Sequence, residues 1–393
     1  MRYTYTLGSG WSVVKIAGNL RQVRTIVWDP LGQMLVAENG KGISVHTFGA
    51  DGCLNSSSTL IALGQLNHGL AITPDGKTLY ASTERMAYQW AYDPATRKVS
   101  GQKTVVNGMV SGIHSTRNLL VLPQKPNMVL LQTGSTSNLD QQALNMGSGR
   151  ALIKIFDMDK VPANGYNYNS GGEVLAYGLR NEIGFITDPN GHVWRTVNGQ
   201  SRDIHKDNPA EKLNYFGDPL VTRNAWYGYP TCFAVWDKGA FTDNSALKTG
   251  NHFVQAPNNT FKDADCDKTA TPPRLTFQAH SAPIWNAFDA DASNMYVTFH
   301  GSWDRQPPTG FKVVQIPFTK KADGSYDPVA AADSTQGYTD IFSATNPGSC
   351  TANGLTMSNC FRLTAASWDP RGRGLFVGSD NSAEGEIYLL SKK

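Results

Sequence analysis

Short apolar runs alternate with tight turns along most of the chain. In six places an apolar run, a turn rich in Pro, Asp, Asn and Gly, and a second apolar run follow one another, which predicts β-hairpins of half-buried strands. The clear copies are TIVWDPLGQMLVAE (25–38), GLAITPDGKTLYAST (69–83), IGFITDPNGHVWRTV (183–197) and AASWDPRGRGLFVGSD (365–380), and the looser copies are LLVLPQKPNMVLLQT (119–133) and a run ending in NAFDADASNMYVTF (286–299).

The same pattern predicts how the hairpins assemble. A hairpin returns the chain to the side it left, so residues before its first strand and after its second strand share one face. Further apolar runs, such as GISVHTF (42–48) and FKVVQIPF (311–318), supply outer strands. We expect an all-β fold, a six-bladed β-propeller with four-stranded antiparallel blades, formed by residues 1–393 as a single catalytic domain. A seven-bladed ring is the alternative, because weak repeats are easily missed.

The chain ends and the long insertions fit a propeller. WSVVKIAG (11–18) is expected to pair near EIYLLSK (386–392), which closes the ring and hides its edges. Polar segments at about 135–172, 200–275 and 320–360 predict long loops on the active-site face, where functional residues tend to collect.

Composition narrows the functional classes. Of the 393 residues, 40% are hydrophobic and only 17% are charged, with 38 Gly, which favours a rigid, turn-rich globule. A net charge of +3 is too small to indicate nucleic acid as a partner, and the absence of an apolar run of eighteen residues predicts no membrane span. The start MRYTYTLGSG lacks a signal pattern, so any signal peptide would already be missing. We expect a monomer.

The five cysteines predict two disulfides. Cys350 and Cys360 lie in one short loop, Cys232 and Cys266 bracket a long polar insertion, and Cys53 is left over. Isolated buried thiols are the alternative. Glycosylation sequons begin at Asn55 and Asn258, and together with the cysteines they predict a secreted, extracellular protein.

Polar residues that can bind an anion or move a proton accompany the hairpins. Arginine recurs, and repeated guanidinium groups on one face imply a small ligand with several carboxylates. A structural ion pair is the alternative for any single arginine. The candidate binding residues on this face are Arg24, Asn67, His68, His114, Arg180, Asn181, Asn198, Arg305 and Arg362.

His114, in SGIHSTRNL, is the candidate general base, because a neutral imidazole can accept a hydroxyl proton near working pH. A hydrogen-bonded core histidine is the alternative. His68 and His280 hold equivalent places in other hairpins and are candidates for contact with a substrate or cofactor. After the fourth hairpin, VNGQSRD brings Asn198, Gly199 and Gln200 to the mouth, and free loop carbonyls there suit a hard cation such as calcium.

Several motifs resemble one known family. GLRNEIGF (178–185), WYGYP (226–230), AHSAP (279–283) and HGSWDRQPPTGFKVV (300–314) are similar to motifs of the glucose/sorbosone dehydrogenase family, whose members are six-bladed propellers that bind pyrroloquinoline quinone (PQQ) and calcium. DIHKDNPAEKLNYFG (203–217) most resembles the secreted fungal pyranose dehydrogenases of that group.

The resemblance implies a mechanism and a set of roles. The expected enzyme oxidises a pyranose by hydride transfer to the quinone C5, while His114 takes the hydroxyl proton and Ca²⁺ polarises the C5 carbonyl. Arg180, itself a catalytic candidate, would hold quinone oxygens with Asn181, and Arg362 would bind a cofactor carboxylate. Gly199 and Gln200 would give backbone carbonyls to calcium. Electrons would pass to a cytochrome b-type haem domain, a separate haem protein or another one-electron acceptor.

The chain also departs from the bacterial members of the family. A second arginine beside Arg362 is expected around Cys360, and a lysine around Asp304, so Arg24 and Arg305 are the candidates to replace those contacts. Two other functions remain open: a calcium-dependent lactonase or esterase propeller, and a non-catalytic propeller that binds glycan or protein. The arginines at the strand entrances argue against the lactonase, whose metal would need carboxylates there.

Overall fold

Six antiparallel sheets surround one axis in the computed structural model, which describes residues 1–198, 206–242, 244, 246–256, 258–353 and 357–393. Each sheet is one blade, and its strands are given from the axis outwards. Blade 1 contains Val23–Trp28, Met34–Glu38, Gly42–Phe48 and Leu54–Ile61; blade 2 contains Leu66–Ile72, Thr78–Thr83, Ala87–Asp93 and Lys98–Asn107; and blade 3 contains Leu119–Leu122, Lys125–Thr133, Leu152–Asp157 and Glu173–Tyr177. Blade 4 contains Asn181–Thr187, Val193–Asn198, Glu211–Gly217 and Leu275–Phe277; blade 5 contains Pro283–Phe288, Asn294–Phe299, Lys312–Lys320 and Thr339–Ala344; and blade 6 contains Leu363–Trp368, Leu375–Ser379, Gly385–Lys392 and Trp11–Leu20.

Short additional strands, one α-helix and several 3₁₀ turns are attached to this ring of blades within the described residues. The additional strands are Tyr5–Leu7 and Tyr326–Pro328 on blade 5, Tyr166–Asn167 on blade 2, Ala225–Trp226 on blade 3, and the two separate pairs Cys232–Ala234 with His252–Val254 and Ala352–Asn353 with Met357–Ser358. The helical elements within the described residues are the α-helix Asp263–Thr269 and the 3₁₀ turns Gln141–Leu144, Met146–Ser148, Met158–Lys160, Lys238–Ala240 and Pro347–Ser349.

The predicted six-bladed ring and its closure are confirmed. First strands of successive blades contact one another all the way round, so these six strands line the axis. The strand near the N-terminus pairs with the last strand of the chain, with Trp11 opposite Lys392 and Leu20 opposite Gly385. That pairing covers the outer edge of the strand Gly385–Lys392 and joins the two ends of the chain in one blade.

The hairpin turns form because an aspartate side chain organises each clear copy. Asp29 Oδ1 accepts from the backbone N–H of Gln33 at 2.8 Å, and Asp188 Oδ1 accepts from that of His192 at 3.0 Å. Asp369 performs the same role in blade 6, where it accepts from the N–H of Arg371. Side-chain capping of turn N–H groups explains the recurrence of Asp with Pro and Gly in the sequence.

The hydrophobic core is divided into layers between neighbouring blades. Leu35 and Val45 of blade 1 pack with Leu79 and Trp90 of blade 2, and equivalent layers occupy the other five junctions. Because close-packed layers resist distortion, the strand ends at the axis are held at fixed positions. No helix among the described residues has the length and apolar character needed to cross a membrane.

The predicted disulfide pairing is also confirmed. Cys232 is bonded to Cys266 and Cys350 to Cys360, with Cα–Cα distances of 5.6 and 5.7 Å, and Cys53 is free and exposed. The second disulfide closes the loop that ends two residues before Arg362, so it anchors the entry into the first strand of blade 6.

Candidate active site

The mouth is the end of the axis where first strands begin and second strands end. In five blades the pairing of these two strands shifts register at the mouth, between the residue pairs Val23/Thr25, Leu66/Leu70, Glu182/Phe185, Pro283/Trp285 and Leu363/Ala365. Such bulges turn side chains out of the regular alternation. Arg24, Asn67 and His68 lie within these irregular segments, so they belong to the first strands rather than preceding them as the sequence suggested.

One group of charged side chains meets at Asp380, directly after the second strand of blade 6. Its Oδ2 accepts a hydrogen bond from Arg24 Nη1 of blade 1, and its Oδ1 lies 2.7 Å from Nε2 of His300 in blade 5. Arg24 Nε also donates to Nδ1 of His68 at 3.1 Å. Arg362 Nη1 donates to the carbonyl of Gly301 at 3.1 Å. We call Arg24, His68, His300, Arg362 and Asp380 the Asp380 side of the mouth.

Burial dominates the electrostatics of the Asp380 side. Burial alone would raise the pKa of Asp380, but His300, Arg24 and Arg362 together hold it below its ordinary value, so this carboxylate is ionised. Burial and then the neighbouring Arg362 lower the pKa of His300 to about 4. Burial lowers the pKa of Arg362 to about 10, so it is still a cation at neutral pH. The cluster thus contains two arginines and one carboxylate, with His300 neutral.

A second group lies around His114, which precedes the first strand of blade 3. His114 Nδ1 lies 2.8 Å from the Ser135 hydroxyl and 3.1 Å from the Ser135 carbonyl. The Ser135 hydroxyl donates to the carbonyl of Ser137 at 2.9 Å, so it accepts rather than donates at Nδ1. The proton of neutral His114 is therefore on Nδ1, and Nε2 keeps a lone pair that can accept a proton.

His114 is poised as a neutral base. It is half-buried, and burial followed by the nearby Arg180 guanidinium lowers its pKa to about 3. Arg180 is buried and donates from Nη2 to the side-chain oxygen of Asn138. Asn138 belongs to the loop that follows the second strand of blade 3, and Tyr229 fixes this loop by donating to the Asn138 carbonyl at 3.0 Å. We call His114, Ser135, Asn138 and Arg180 the His114 side of the mouth.

Asn67 and His68 connect the two sides. Asn67 donates from Nδ2 to the carbonyl of Ser115 at 2.8 Å, while His68 receives the bond from Arg24. Burial, followed by Arg24, lowers the pKa of His68, so its ring is neutral with the proton on Nε2. The His68 ring also lies 5.5 Å, between ring centroids, from the indole of Trp285 in the opposite blade. The contact with Trp285 brings side chains of opposite blades together across the axis.

Three buried polar atoms at the mouth are available to a ligand. Within the part of the chain that the structure describes, Asn67 Oδ1, His68 Nε2 and Asn181 Oδ1 have no hydrogen-bond partner. His68 Nε2 offers a donor and the two amide oxygens offer acceptors. Unsatisfied buried groups of this kind usually have a partner that the protein alone does not provide. Together with Arg24 and Arg362, they fit an anionic molecule that has both carbonyl and N–H groups.

Arg305 is not part of the Asp380 side. Its guanidinium bonds to the carboxylate of Asp207 and to the carbonyl of Pro307, in the loop after the second strand of blade 5. Nearby, His280 Nδ1 lies 3.5 Å from Asp304 Oδ1, and the Trp303 side chain is exposed. These residues belong to the rim of the mouth beside blade 5.

The predicted metal ligands Gly199 and Gln200 come directly after Asn198 in the sequence. Gly199 and Gln200 lie outside the described residues, and so does the side chain of Asn198, whose backbone ends the second strand of blade 4 opposite Asn181. Among the described residues, there is no cluster of three or more His, Cys, Asp or Glu side chains that could hold a metal ion.

Sequence reasoning missed three functional candidates. Asp380, His300 and Ser135 all directly follow second strands or lie one residue beyond them, whereas the predicted residues were taken mainly from the starts of first strands. The signal was present, because a hairpin places both of these positions on the same face. His300 and Asp380 even stand within the motifs HGSWDR and VGSD.

Comparison with known proteins gives a consistent result. A family model described as TrAA12-like matches residues 5–393. The chain is 38% identical to a pyrroloquinoline quinone-dependent pyranose dehydrogenase of Coprinopsis cinerea over 100% of this chain, but it spans only 55% of that relative's length. The structure matches the holo form of the PQQ domain of the C. cinerea pyranose dehydrogenase with a TM-score of 0.94 and 37% identity, covering 99% of this chain and 98% of that one. A calcium structure of a Trichoderma reesei enzyme of carbohydrate-active family AA12 matches with a TM-score of 0.91 and 34% identity, covering 100% and 98%.

Proposed function

The chain belongs to the TrAA12-like family, and we propose that it is the catalytic propeller of a PQQ-dependent dehydrogenase that oxidises a pyranose sugar. One observation carries the proposal: a neutral imidazole with a free Nε2, His114, shares the mouth with two cations, the half-buried Arg24 and the buried Arg362. A base and an anion site are the two protein components that this reaction requires.

We assign the residues that hold the quinone by chemical fit. Arg24 and Arg362 are positioned to bind carboxylates, because guanidinium forks recognise planar anions. His68 Nε2 donates to a further oxygen, and Asn67 and Asn181 offer acceptor oxygens. When bound, the quinone supplies a two-electron oxidant for the sugar carbon.

The proton is handled by the His114 side. His114 Nε2 accepts the proton of the sugar hydroxyl, while Nδ1–H stays bonded to Ser135 and keeps the ring oriented. Arg180, held by Asn138, offers positive charge close to the reacting groups, where it stabilises the negative charge that develops during oxidation.

Calcium, the electron acceptor and the location complete the proposal. The T. reesei calcium structure supports Ca²⁺ as the second cofactor, and the sequence favours backbone carbonyls of Gly199 and Gln200 as ligands. On the resemblance to the secreted fungal pyranose dehydrogenases, we propose a haem domain or protein, or another one-electron acceptor, as the partner that takes the electrons. Two disulfides fit a secreted enzyme, and we propose a monomer.

Reconstitution tests the proposal. Apoprotein would be titrated with PQQ in calcium buffer while the absorbance of the bound chromophore and sugar-dependent reduction of a one-electron dye are followed. We expect saturable PQQ binding and dye reduction that requires both quinone and a pyranose. PQQ binding without turnover on any pyranose would favour a different alcohol as substrate, and absence of PQQ binding would overturn the proposal. Lactone hydrolysis by the calcium-loaded protein would favour the lactonase alternative.

A further inference from the structure

Asp380 is the one carboxylate of the Asp380 side, and its side chain is completely buried. It belongs to blade 6, yet it contacts Arg24 of blade 1 and His300 of blade 5. A single aspartate therefore fixes side chains from both neighbouring blades at the mouth.

We propose that Asp380 is a positioning residue for the cofactor: it fixes the orientation of Arg24, the anion-binding group, and of the neutral His300 ring before the quinone arrives. This inference rests on the proposed function. Asp380 acts through its two partners and does not itself touch the ligand, because a buried carboxylate beside the carboxylates of the quinone would repel them.

The contacts of Arg24 explain why its orientation needs to be fixed. The side chain is long and rotamer-rich, but two of its nitrogens are occupied: Nη1 bonds to Asp380 and Nε to His68. For Nη2, the described residues provide no hydrogen-bond acceptor. A guanidinium held at two points presents its remaining donors in one direction, which lowers the entropy cost of binding an anion.

His300 is oriented by the same carboxylate. Because Asp380 is ionised, His300 donates from Nε2, and the neutral ring keeps a lone pair on Nδ1. The backbone of His300 is fixed as well, since its N–H donates to the carbonyl of Ala282 at 2.8 Å. A fixed backbone and one side-chain bond define the ring orientation completely.

A positioning role of Asp380 and a purely electrostatic effect predict opposite changes in PQQ affinity for Asp380→Asn. If charge alone mattered, removing a buried negative group beside two arginines would tighten the binding of a tricarboxylate. If Asp380 positions Arg24, losing the charged bond releases the guanidinium and weakens binding. A carboxylate that serves only the fold would leave PQQ affinity unchanged and lower only the melting temperature.

The test measures the Kd of PQQ for the wild type, Asp380→Asn and Asp369→Asn by absorbance titration in calcium buffer, with melting temperatures in parallel. Asp369 is the matched control, because its buried side chain also pairs with an arginine of blade 6, Arg373, but at the turn end of the same hairpin. We expect Asp380→Asn to raise Kd about tenfold and Asp369→Asn to change it less than about twofold. An unchanged or lower Kd for folded Asp380→Asn would overturn the proposal.

Substitutions of Arg24 provide a second arm that does not depend on the folding of Asp380→Asn. Arg24→Lys keeps the charge but cannot bond to Asp380 and His68 at the same time, so positioning predicts that it loses nearly as much PQQ affinity as Arg24→Gln. Wild-type affinity in Arg24→Lys would contradict positioning. In the double variant Asp380→Asn/Arg24→Gln, the loss of PQQ affinity should be clearly smaller than the product of the two single losses, whereas full multiplication of the two losses would contradict action through Arg24. If the wild type itself fails to bind PQQ, the proposed function fails, which is a distinguishable result.

Discussion

The two sides of the mouth hold their functional side chains by different means. On the His114 side, neutral oxygens of Ser135 and Asn138 orient an imidazole and a guanidinium. On the Asp380 side, an ionised, buried carboxylate orients Arg24 and His300. Neutral acceptors orient a charged group but compensate little of its charge, whereas a carboxylate orients the group and also compensates its charge.

The difference matches the chemistry expected at each side. Burial and then the nearby Arg180 lower the pKa of His114 to about 3, so the ring is neutral at working pH and its Nε2 lone pair carries no proton. On the other side, the Asp380 carboxylate opposes the effect of burial on the pKa of Arg362, which is still a cation at neutral pH, and it pairs directly with Arg24. We infer that the neutral surroundings serve proton transfer and the compensated cluster serves anion binding.

The substitution with the largest expected effect, His114→Ala, changes one side of the mouth and leaves the other intact. In His114→Ala, the proton acceptor is lost while the Asp380 side is intact, so we expect sugar oxidation to fall by about 10²- to 10⁴-fold. The Kd of PQQ should change by less than about threefold. Dye-reduction kcat at saturating quinone and absorbance titration measure the two quantities. Turnover close to that of the wild type would remove His114 from the mechanism.

Arg362→Gln is the reciprocal substitution. It removes a buried cation from the Asp380 side, so we expect the Kd of PQQ to rise about 10- to 100-fold, which corresponds to the loss of a charge-assisted hydrogen bond. At saturating quinone, kcat should change by less than about threefold, because the base is untouched. Arg373→Gln, in the turn of the same hairpin, is the matched control and should bind PQQ as the wild type does. A large fall in kcat with unchanged Kd would mean that the two sides are not separable.

The fold was predictable because its signals are local. Alternating apolar runs and Asp-containing turns specify each hairpin. The capping of the turns by Asp29 and Asp188 shows why aspartate recurs in the turn motifs. Pairing of the first long apolar run with the last one followed from the need to cover sheet edges. The disulfides followed from the positions of the cysteines around insertions.

The site was less predictable because its contacts join residues far apart in sequence. Nothing near Asp380 in the chain indicates that it bonds to Arg24, 356 residues away. The distinction between Arg24, within the buried cluster, and Arg305, bonded to Asp207 at the rim, likewise depends on the arrangement of blades. Residue type predicted the kinds of group at the mouth, and the roles assigned to them remain proposals.

Ser135→Ala has a smaller expected effect and tests how a neutral group orients the base His114. Ser135→Ala removes the hydroxyl that accepts from His114 Nδ1 but leaves the backbone carbonyl in place, so we expect kcat to fall only about fivefold with unchanged PQQ affinity. Ser137→Ala is the matched control, because the Ser137 carbonyl takes part in this network through the backbone. Equal losses in both variants would indicate a general effect on the loop rather than on the imidazole.

The smallest effect concerns pH. Burial and Arg180 lower the pKa of His114 from 6.5 to about 3, so the ring stays neutral, and able to accept a proton, as the pH falls from neutrality. At saturating quinone we therefore expect kcat/KM for the sugar to vary by less than about twofold between about pH 7 and pH 5, with the acid limb at lower pH. An acid limb centred near the ordinary histidine value would contradict the surroundings described for His114, because the neutral oxygens of Ser135 could not stabilise an imidazolium to that extent beside the Arg180 guanidinium.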